Sequence, residues 1–339
     1  MKLKRLLWLL ISVSTLIVWL NKELINYSWI QGKGQLEVLW KARPIEDLIT
    51  ENKLPDSLKI KLKLVEKLTE FADSIGLEVN ESYSKIYDQQ GKPILWNVSA
   101  CKPYAFDSYK WKFPLLGTFS YKGFFQKDMA DRLVIDLKTQ GYDVNIRTVG
   151  AWSTLGWFND PLLSNQLYLP VGNLAETIFH ELTHATIFFE DSLTYNENLA
   201  TFLGEKLTNL FLERLFGTES SERNKYWQNK IDSRLFRTHM LRGKDKLDSL
   251  YQTFEENMSA DQKAILKERI ITSIIQSLDS VTFSNERYKF IFSTGRELNN
   301  AYLMGFSRYY NHQEQLDFML MKQNGNLAAW IQSLKLTAN

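Results

Sequence analysis

Residues 174–189 read Leu-Ala-Glu-Thr-Ile-Phe-His-Glu-Leu-Thr-His-Ala-Thr-Ile-Phe-Phe. Apolar side chains recur in this stretch at helical spacing, which predicts one helix across it. Asn173 comes directly before the stretch and Glu176 follows three residues later, and this capping-box pattern places the start of the helix near Leu174. The helix is strongly apolar but has the string His-Glu-Leu-Thr-His at 180–184, so the surrounding chain must fold around a polar centre.

The two histidines of this helix are candidate metal ligands. His180 and His184 lie four residues apart, so both imidazoles leave the same helix face. Two imidazoles on one face suit zinc, which binds each nitrogen at about 2.0–2.1 Å. Glu181 is adjacent to the first ligand and can reach a water on the metal, as the general base of an HExxH zincin does. The alternative is an ordinary solvated helix, but burying His-Glu-His without an ion would leave polar groups unsatisfied.

Glu197 is the candidate for the third protein ligand that a catalytic zinc site requires. It follows His184 by 13 residues, enough for a turn and the start of an antiparallel helix. Small residues that would let this second helix approach the first follow it at Ala200, Thr201 and Gly204. A structural alternative is a capping box formed by Thr194 and Glu197. The competing carboxylates nearby in sequence are Glu190, Asp191 and Glu205.

These residues resemble two groups of known proteins. His180, His184 and Glu197 look like the gluzincin arrangement of thermolysin-like metallopeptidases, which use two histidines and a glutamate as ligands. Most of the chain resembles the bacterial putative aminopeptidase family, predicted zinc peptidases of the cell envelope. The stretches that match this family are 34–39, 42–45, 95–98, 121–125, 141–144, 153–161 and 299–301, together with the HExxH string.

The resemblance implies a zinc metallopeptidase with one Zn²⁺ held by His180, His184 and Glu197. Glu181 would then act as the catalytic general base, and a zinc-activated water would attack a peptide carbonyl. Two alternatives stay open. The zinc could be structural, in an envelope binding or scaffold protein, or the same ligands could serve a hydrolase of a non-peptide bond.

Several other residues are candidates for contact with a peptide substrate. Tyr195 and Tyr121 could donate a hydrogen bond to the oxyanion of the reaction, and so could Tyr309 and Tyr310. Trp152 lies in residues 151–158, which could form an edge along which a peptide pairs through its backbone. The candidate substrate contacts are Tyr195, Tyr121, Trp152 and Asn300. Glu190 and Asp191 are candidates for binding the free amine of a substrate. For each of these residues the alternative is a structural role, in packing or in a turn.

Composition excludes other classes of function. Lys and Arg number 41 against 39 Asp and Glu, a net charge of +2, whereas nucleic-acid binding normally needs a concentrated basic face. A hydrophobic fraction of 44% argues against a disordered chain. The single cysteine, Cys101, excludes an internal disulfide framework and any cysteine-rich metal site.

The N-terminus carries a candidate membrane segment. Residues 1–5 hold three positive charges, and residues 6–20 follow without any charge. As a helix this run reaches about 22 Å, and residues 21–30 could extend it into the headgroup region. No small-residue cleavage site follows, so an uncleaved signal anchor is favoured over a cleaved signal peptide or a buried helix. The positive charges predict a cytoplasmic N-terminus and a chain body on the periplasmic side.

The predicted organisation is α+β. A signal anchor at 1–30 precedes a zincin-like catalytic region at 31–216, and a helical portion at 217–339 packs on it. Within the catalytic region a small mixed sheet comes before the HExxH and ligand helices. Its predicted strands are 94–98, 117–121 and 142–146, and the predicted helices beside them are 55–75 and 125–140.

Overall fold

The computed structural model describes residues 21–51, 54–113, 117–150, 154, 158–190, 192–307 and 313–338. The first 20 residues of the predicted signal anchor at 1–30, which include the uncharged run at 6–20, lie outside these ranges. Among the described helices, none is both long and apolar enough to span a bilayer.

The fold is α+β, and helices predominate. The helices are α1 Lys22–Lys41, α2 Ile45–Thr50, α3 Asp56–Ser74, α4 Lys127–Thr139, α5 Val171–Thr186, α6 Leu193–Phe216, α7 Ser221–Tyr251, α8 Ala260–Gln276, α9 Asn300–Met304, α10 Gln313–Lys322 and α11 Leu327–Ala338. The strands are β1 Arg43–Pro44, β2 Lys85–Tyr87, β3 Trp96–Cys101, β4 Trp111–Phe113, β5 Gly117–Phe119, β6 Lys122–Phe124, β7 Asp143–Thr148 and β8 Leu162–Leu163. Short 3-10 helices cover Ser164–Tyr168, Ser277–Ser280, Glu286–Tyr288 and Gly305–Ser307.

The strands form three short sheets instead of the single mixed sheet that was predicted. Their orders are β1-β2-β8, β6-β3-β7 and β4-β5. In the second sheet β3 is antiparallel to both neighbours. In the first, β2 is parallel to β8, with Ile86 beside Leu162. The predicted strands exist with shifted ends, and 117–121 lies in the separate β4-β5 ribbon. Strands of two or three residues carry too little alternation to be recognised in a sequence.

The largest apolar core surrounds α5. This helix buries Leu174, Ile178, Phe179 and Leu182 in a core that it shares with α3 and α6. Helices α10 and α11 contribute to the same core through Leu316, Leu320, Trp330, Ile331 and Leu334. A second core lies where α7, α8 and α9 meet. The end of the chain packs on α6, where Trp330 contacts Phe202 and Asp317 pairs with Lys206.

Helix α5 does not begin where the capping box predicted. It starts at Val171 with Pro170 as its N-cap, because the φ angle of proline suits the first turn of a helix. Glu176 therefore lies inside the helix, where it accepts a hydrogen bond from Tyr226 Oη at 3.0 Å. The helix ends at Thr186, and Ile187 is extended. The predicted end at residue 189 was three residues too late.

Candidate metal centre

The ends of α5 and α6 bring two imidazoles and a carboxylate together. His180 Nε2 and His184 Nε2 are 3.1 Å apart. Glu197 Oε2 lies 3.7 Å from the first of these nitrogens, and Glu197 Oε1 lies 3.9 Å from the second. All three donor atoms fall within 4.8 Å of one another. We call His180, His184 and Glu197 the metal cluster.

A hydrogen-bonded turn sets the position of Glu197. Phe189 N donates to Asn196 Oδ1 at 3.0 Å, and Asn196 Nδ2 donates back to Phe189 O at 2.8 Å. Asn196 is buried, so this pair is shielded from water. The N-cap of α6 is Ser192, without a side-chain hydrogen bond, so Thr194 is not the cap of this helix. The carboxylate of Glu197 faces the imidazoles.

Gly204 allows the two helices to approach closely. A Cβ at this position would lie 3.2 Å from Glu176 O and 3.5 Å from His180 Cβ. Ala200 and Thr201, which precede it on α6, are also buried. The small residues that the sequence places after Glu197 thus lie between the helices, where a larger side chain would separate the ligands.

Both histidines are held in the neutral form that binds metals. Burial, the neighbouring His184 and the positive charge of Lys230 lower the pKa of His180 to about 3. Burial lowers the pKa of His184 to about 4. A neutral imidazole can offer the lone pair of Nε2 to a metal ion. Nδ1 of His184 is buried and finds no partner among the described residues.

The donor set fits a divalent ion such as zinc. Tetrahedral ligands at about 2.0–2.1 Å from the ion lie roughly 3.3 Å from one another. The separations of 3.1, 3.7 and 3.9 Å in the metal cluster are close to this value. In the described part of the chain the cluster offers three potential ligands, a number that would leave a coordination position for water or substrate.

Glu181 lies beside the metal cluster and favours its protonated form. Burial, then the charge of Glu197, then that of Asp160 raise the pKa of Glu181 to about 8. Its side chain lines a cleft of about 590 Å³ together with His180. A carboxyl group in such surroundings can take up a proton and hold it near neutral pH.

Two residues near Glu181 were missed from the sequence. Asp160 is buried and accepts hydrogen bonds from Thr154 N at 3.0 Å and from Thr154 Oγ1 at 2.7 Å. Tyr83 N donates to Asp160 O at 2.7 Å. Burial and the charges of Glu181 and Asp160 raise the pKa of Tyr83 well above its usual value. Asp160 lies in the matching stretch 153–161, which was the one available signal.

Lys230 of α7 joins the two ligand helices across the cleft. Its Nζ contacts Glu176 Oε1 on α5 at 2.7 Å and Glu205 Oε2 on α6 at 2.9 Å. All three side chains are largely buried, so this bridge orients the helices more firmly than a surface pair would. Glu205 is therefore engaged with Lys230, while Glu190 is exposed.

The predicted substrate contacts lie in different parts of the molecule. Tyr195 is half-buried on α6 and packs edge-to-face on Phe189, with a ring separation of 5.3 Å. Tyr121 lines a separate pocket beside β3 and β7. The predicted residues that lie outside the described ranges are Trp152, Asp191, Tyr309 and Tyr310. His239 contacts Ile274 O at 2.8 Å through Nε2, in the second core.

Asn300 has a structural role and does not contact the cleft. It is fully buried. Its Oδ1 accepts from Tyr251 Oη at 2.8 Å, and its Nδ2 donates to the carbonyls of Lys102 and Pro103 at 2.9 and 3.1 Å. Asp143 Oδ2 accepts from Asn300 N at 2.9 Å and from the ammonium of Lys267 at 2.5 Å. We call Asp143, Tyr251, Lys267 and Asn300 the asparagine cluster.

Comparison with models of known protein families identifies the family of this chain. A family model described as Putative aminopeptidase matches residues 26–339. The chain belongs to this family. The match covers the metal cluster, Glu181 and all the helices from α3 to α11, and it supports a peptidase activity. No curated protein and no solved structure matches the chain at a significant level.

Proposed function

We propose that the protein is a zinc-dependent metallopeptidase, acting as an aminopeptidase, with a gluzincin-type site on a zincin-like core. The observation that carries this proposal is the convergence of His180, His184 and Glu197, with Glu181 beside them in an open cleft. Membership of the putative aminopeptidase family supports peptide bonds as the substrate.

The metal cluster and Glu181 have different roles in the proposed hydrolysis. A zinc ion bound by the metal cluster would supply Lewis-acid polarisation of the scissile carbonyl and an activated water. Glu181 accepts the proton of the attacking water and passes it to the leaving amine nitrogen. Burial and two neighbouring carboxylates raise the pKa of Glu181, whereas the positive charge of a bound ion would lower it, so the carboxylate can accept the proton and still hold it until the amine departs.

The N-terminal segment is proposed as the membrane anchor. The uncharged run at 6–20 ends directly before α1, which begins at Lys22. A single-pass anchor at 1–30 would hold the cleft on the periplasmic side of the cell membrane. Alkaline carbonate should leave the full chain in the membrane fraction, and protease added to spheroplasts should digest it. Release by carbonate would contradict the anchor.

Substitution of Glu181 by Gln tests the catalytic proposal. The variant keeps the size of the side chain but cannot accept the proton, so peptide hydrolysis should fall by about 10²- to 10⁴-fold. Zinc content, measured by mass spectrometry of the purified protein, should stay near that of the wild type. Unchanged turnover would contradict the proposed mechanism. A fourth protein ligand on the metal would instead favour a structural zinc.

A further inference from the structure

Helix α1 carries a row of exposed apolar side chains. Ile25, Trp29, Leu36 and Trp40 are 43%, 72%, 40% and 80% exposed. They follow one another at spacings of four, seven and four residues. These spacings are close to one and two turns of an α-helix, so all four side chains lie on one face. We call these four residues the α1 stripe, which extends for about 22 Å along the helix axis.

The opposite face of α1 packs on the protein. Tyr27 Oη donates a hydrogen bond to Gly123 O at 2.8 Å. A Cβ on Gly34 would collide with the ring of Phe125. Gly32 lies on the same side of the helix as the α1 stripe, and a Cβ there would meet no atom of the described residues within 4 Å. The α1 stripe therefore faces away from the body of the protein.

The exposed apolar surface continues beyond α1. Leu36 and Trp40 line a small pocket of about 250 Å³ together with Phe158, which is half-exposed. Single exposed apolar side chains are normal on a protein surface, but several that adjoin one another mark an interaction surface. The α1 stripe and Phe158 therefore indicate a partner that takes up apolar groups.

The sequence before α1 points to a lipid bilayer as this partner. The uncharged run at 6–20 ends one residue before α1, which begins at Lys22. An anchor of this kind would bring α1 to the surface of a membrane. The backbone of Asn21, with φ −111° and ψ 20°, lies outside the helical range, so the chain can change direction there. Helix α1 can then lie along the bilayer.

The residue types on this face suit the zone of the lipid headgroups. Tryptophan is enriched at membrane–water interfaces, where its ring lies at the level of the headgroups. Lys22 and Lys33 are exposed beside the α1 stripe, so their charges can meet anionic headgroups. The two acidic residues of α1, Glu23 and Glu37, lie further round the helix. Charge and apolar surface thus both favour an anionic bilayer.

We propose that the α1 stripe, together with Phe158, docks on the surface of an anionic phospholipid bilayer. The inference rests on the proposed membrane anchor, which would bring α1 to the bilayer, and it adds a second attachment. With the anchor alone, the body of the protein could rotate about the anchor. A docked α1 would hold the cleft of the metal cluster in one orientation to the membrane.

A dye on the α1 stripe tests this contact in the full chain. Cys101 is the only cysteine and is buried, so a cysteine introduced at the surface can be labelled selectively. Trp40→Cys, labelled with the environment-sensitive dye NBD, is reconstituted into vesicles of phosphatidylethanolamine with about a quarter phosphatidylglycerol. Nitroxides on the lipid chains near the headgroups should quench about half of its emission or more, because a docked face lies about 5–10 Å deep. Trp29→Cys is a second position and should give the same result.

Ile265→Cys is the matched control, because Ile265 is an apolar residue that is also strongly exposed, on α8. Its label should keep its emission when nitroxide lipids are present. Adding Trp29→Glu to the Trp40→Cys protein should abolish the quenching, because a carboxylate in place of the ring disfavours insertion into lipid. Quenching that survives this change would show that the anchor alone brings the label near the bilayer, and it would overturn the docking.

Two results at position 40 would contradict the proposal. Emission equal to that of the label at position 265 would mean that the α1 stripe stays in water. Blue-shifted emission without quenching would mean that protein covers the stripe, either a second copy or another segment of this chain.

The docking and the anchor can fail separately. If alkaline carbonate leaves the chain in the membrane and the nitroxides do not quench, the docking is overturned and the anchor stands. If carbonate releases the chain but the label is quenched when vesicles are added at neutral pH, the anchor fails and the docking is supported.

Discussion

The metal cluster and the asparagine cluster are both groups of buried polar side chains, but they differ in how their atoms are satisfied. In the asparagine cluster, Asn300 uses both its amide and its carbonyl within the protein. In the metal cluster, two neutral imidazoles and a carboxylate bring three potential ligand atoms within 4.8 Å of one another. Satisfied polar groups stabilise a fold, whereas convergent lone pairs call for a cation.

Loss of a metal ligand should have the largest effect, and it should change metal binding. Glu197→Ala removes one of three ligands, so zinc affinity should fall at least as far as the roughly 10- to 100-fold seen when a supporting residue is lost. Hydrolysis should fall with it. Competition with a zinc-sensitive dye measures the affinity. Glu190→Ala, at an exposed position on the turn before α6, is the control and should bind zinc like the wild type.

The converse change should affect stability and not the metal. Asn300→Ala leaves Tyr251 Oη and two carbonyls without their buried partner, which should lower the free energy of unfolding by about 2–4 kcal/mol. Urea denaturation measures this loss. Asn224→Ala, at an exposed site on α7, should change it by less than about 0.5 kcal/mol. Reduced zinc affinity in folded Asn300→Ala protein would show that the clusters are coupled.

The smallest expected effect concerns the spacing of the ligand helices. Gly204→Ala places a methyl group 3.2 Å from Glu176 O, so the helices must shift by a few tenths of an ångström, at a cost of about 1–3 kcal/mol in unfolding free energy that the helix propensity of alanine offsets in part. Gly32→Ala, on α1 with no atom within 4 Å of the added Cβ, should be neutral or stabilise by up to about 1 kcal/mol. Equal stability of the two variants would mean that α5 and α6 do not need close contact.

The sequence predicted those features of the site that depend on residues close together in the chain. The four-residue spacing of His180 and His184 fixes their common face on any helix, and the small residues after Glu197 indicated a close second helix. The sequence did not predict that Asp160 and Lys230 lie near the site, because their positions depend on pairing between distant segments, such as β2 with β8. Asn300 was assigned to the cleft because a resemblance identifies a residue without showing what surrounds it.

X-ray absorption of the zinc-loaded protein reports the ligand atoms around the metal. We expect one zinc per chain, with two imidazole nitrogens and one carboxylate oxygen from the protein. The imidazole signal should weaken in His184→Ala and the carboxylate signal in Glu197→Ala. A chain that takes up no zinc, or a zinc without imidazole ligands, would contradict the proposed zinc site.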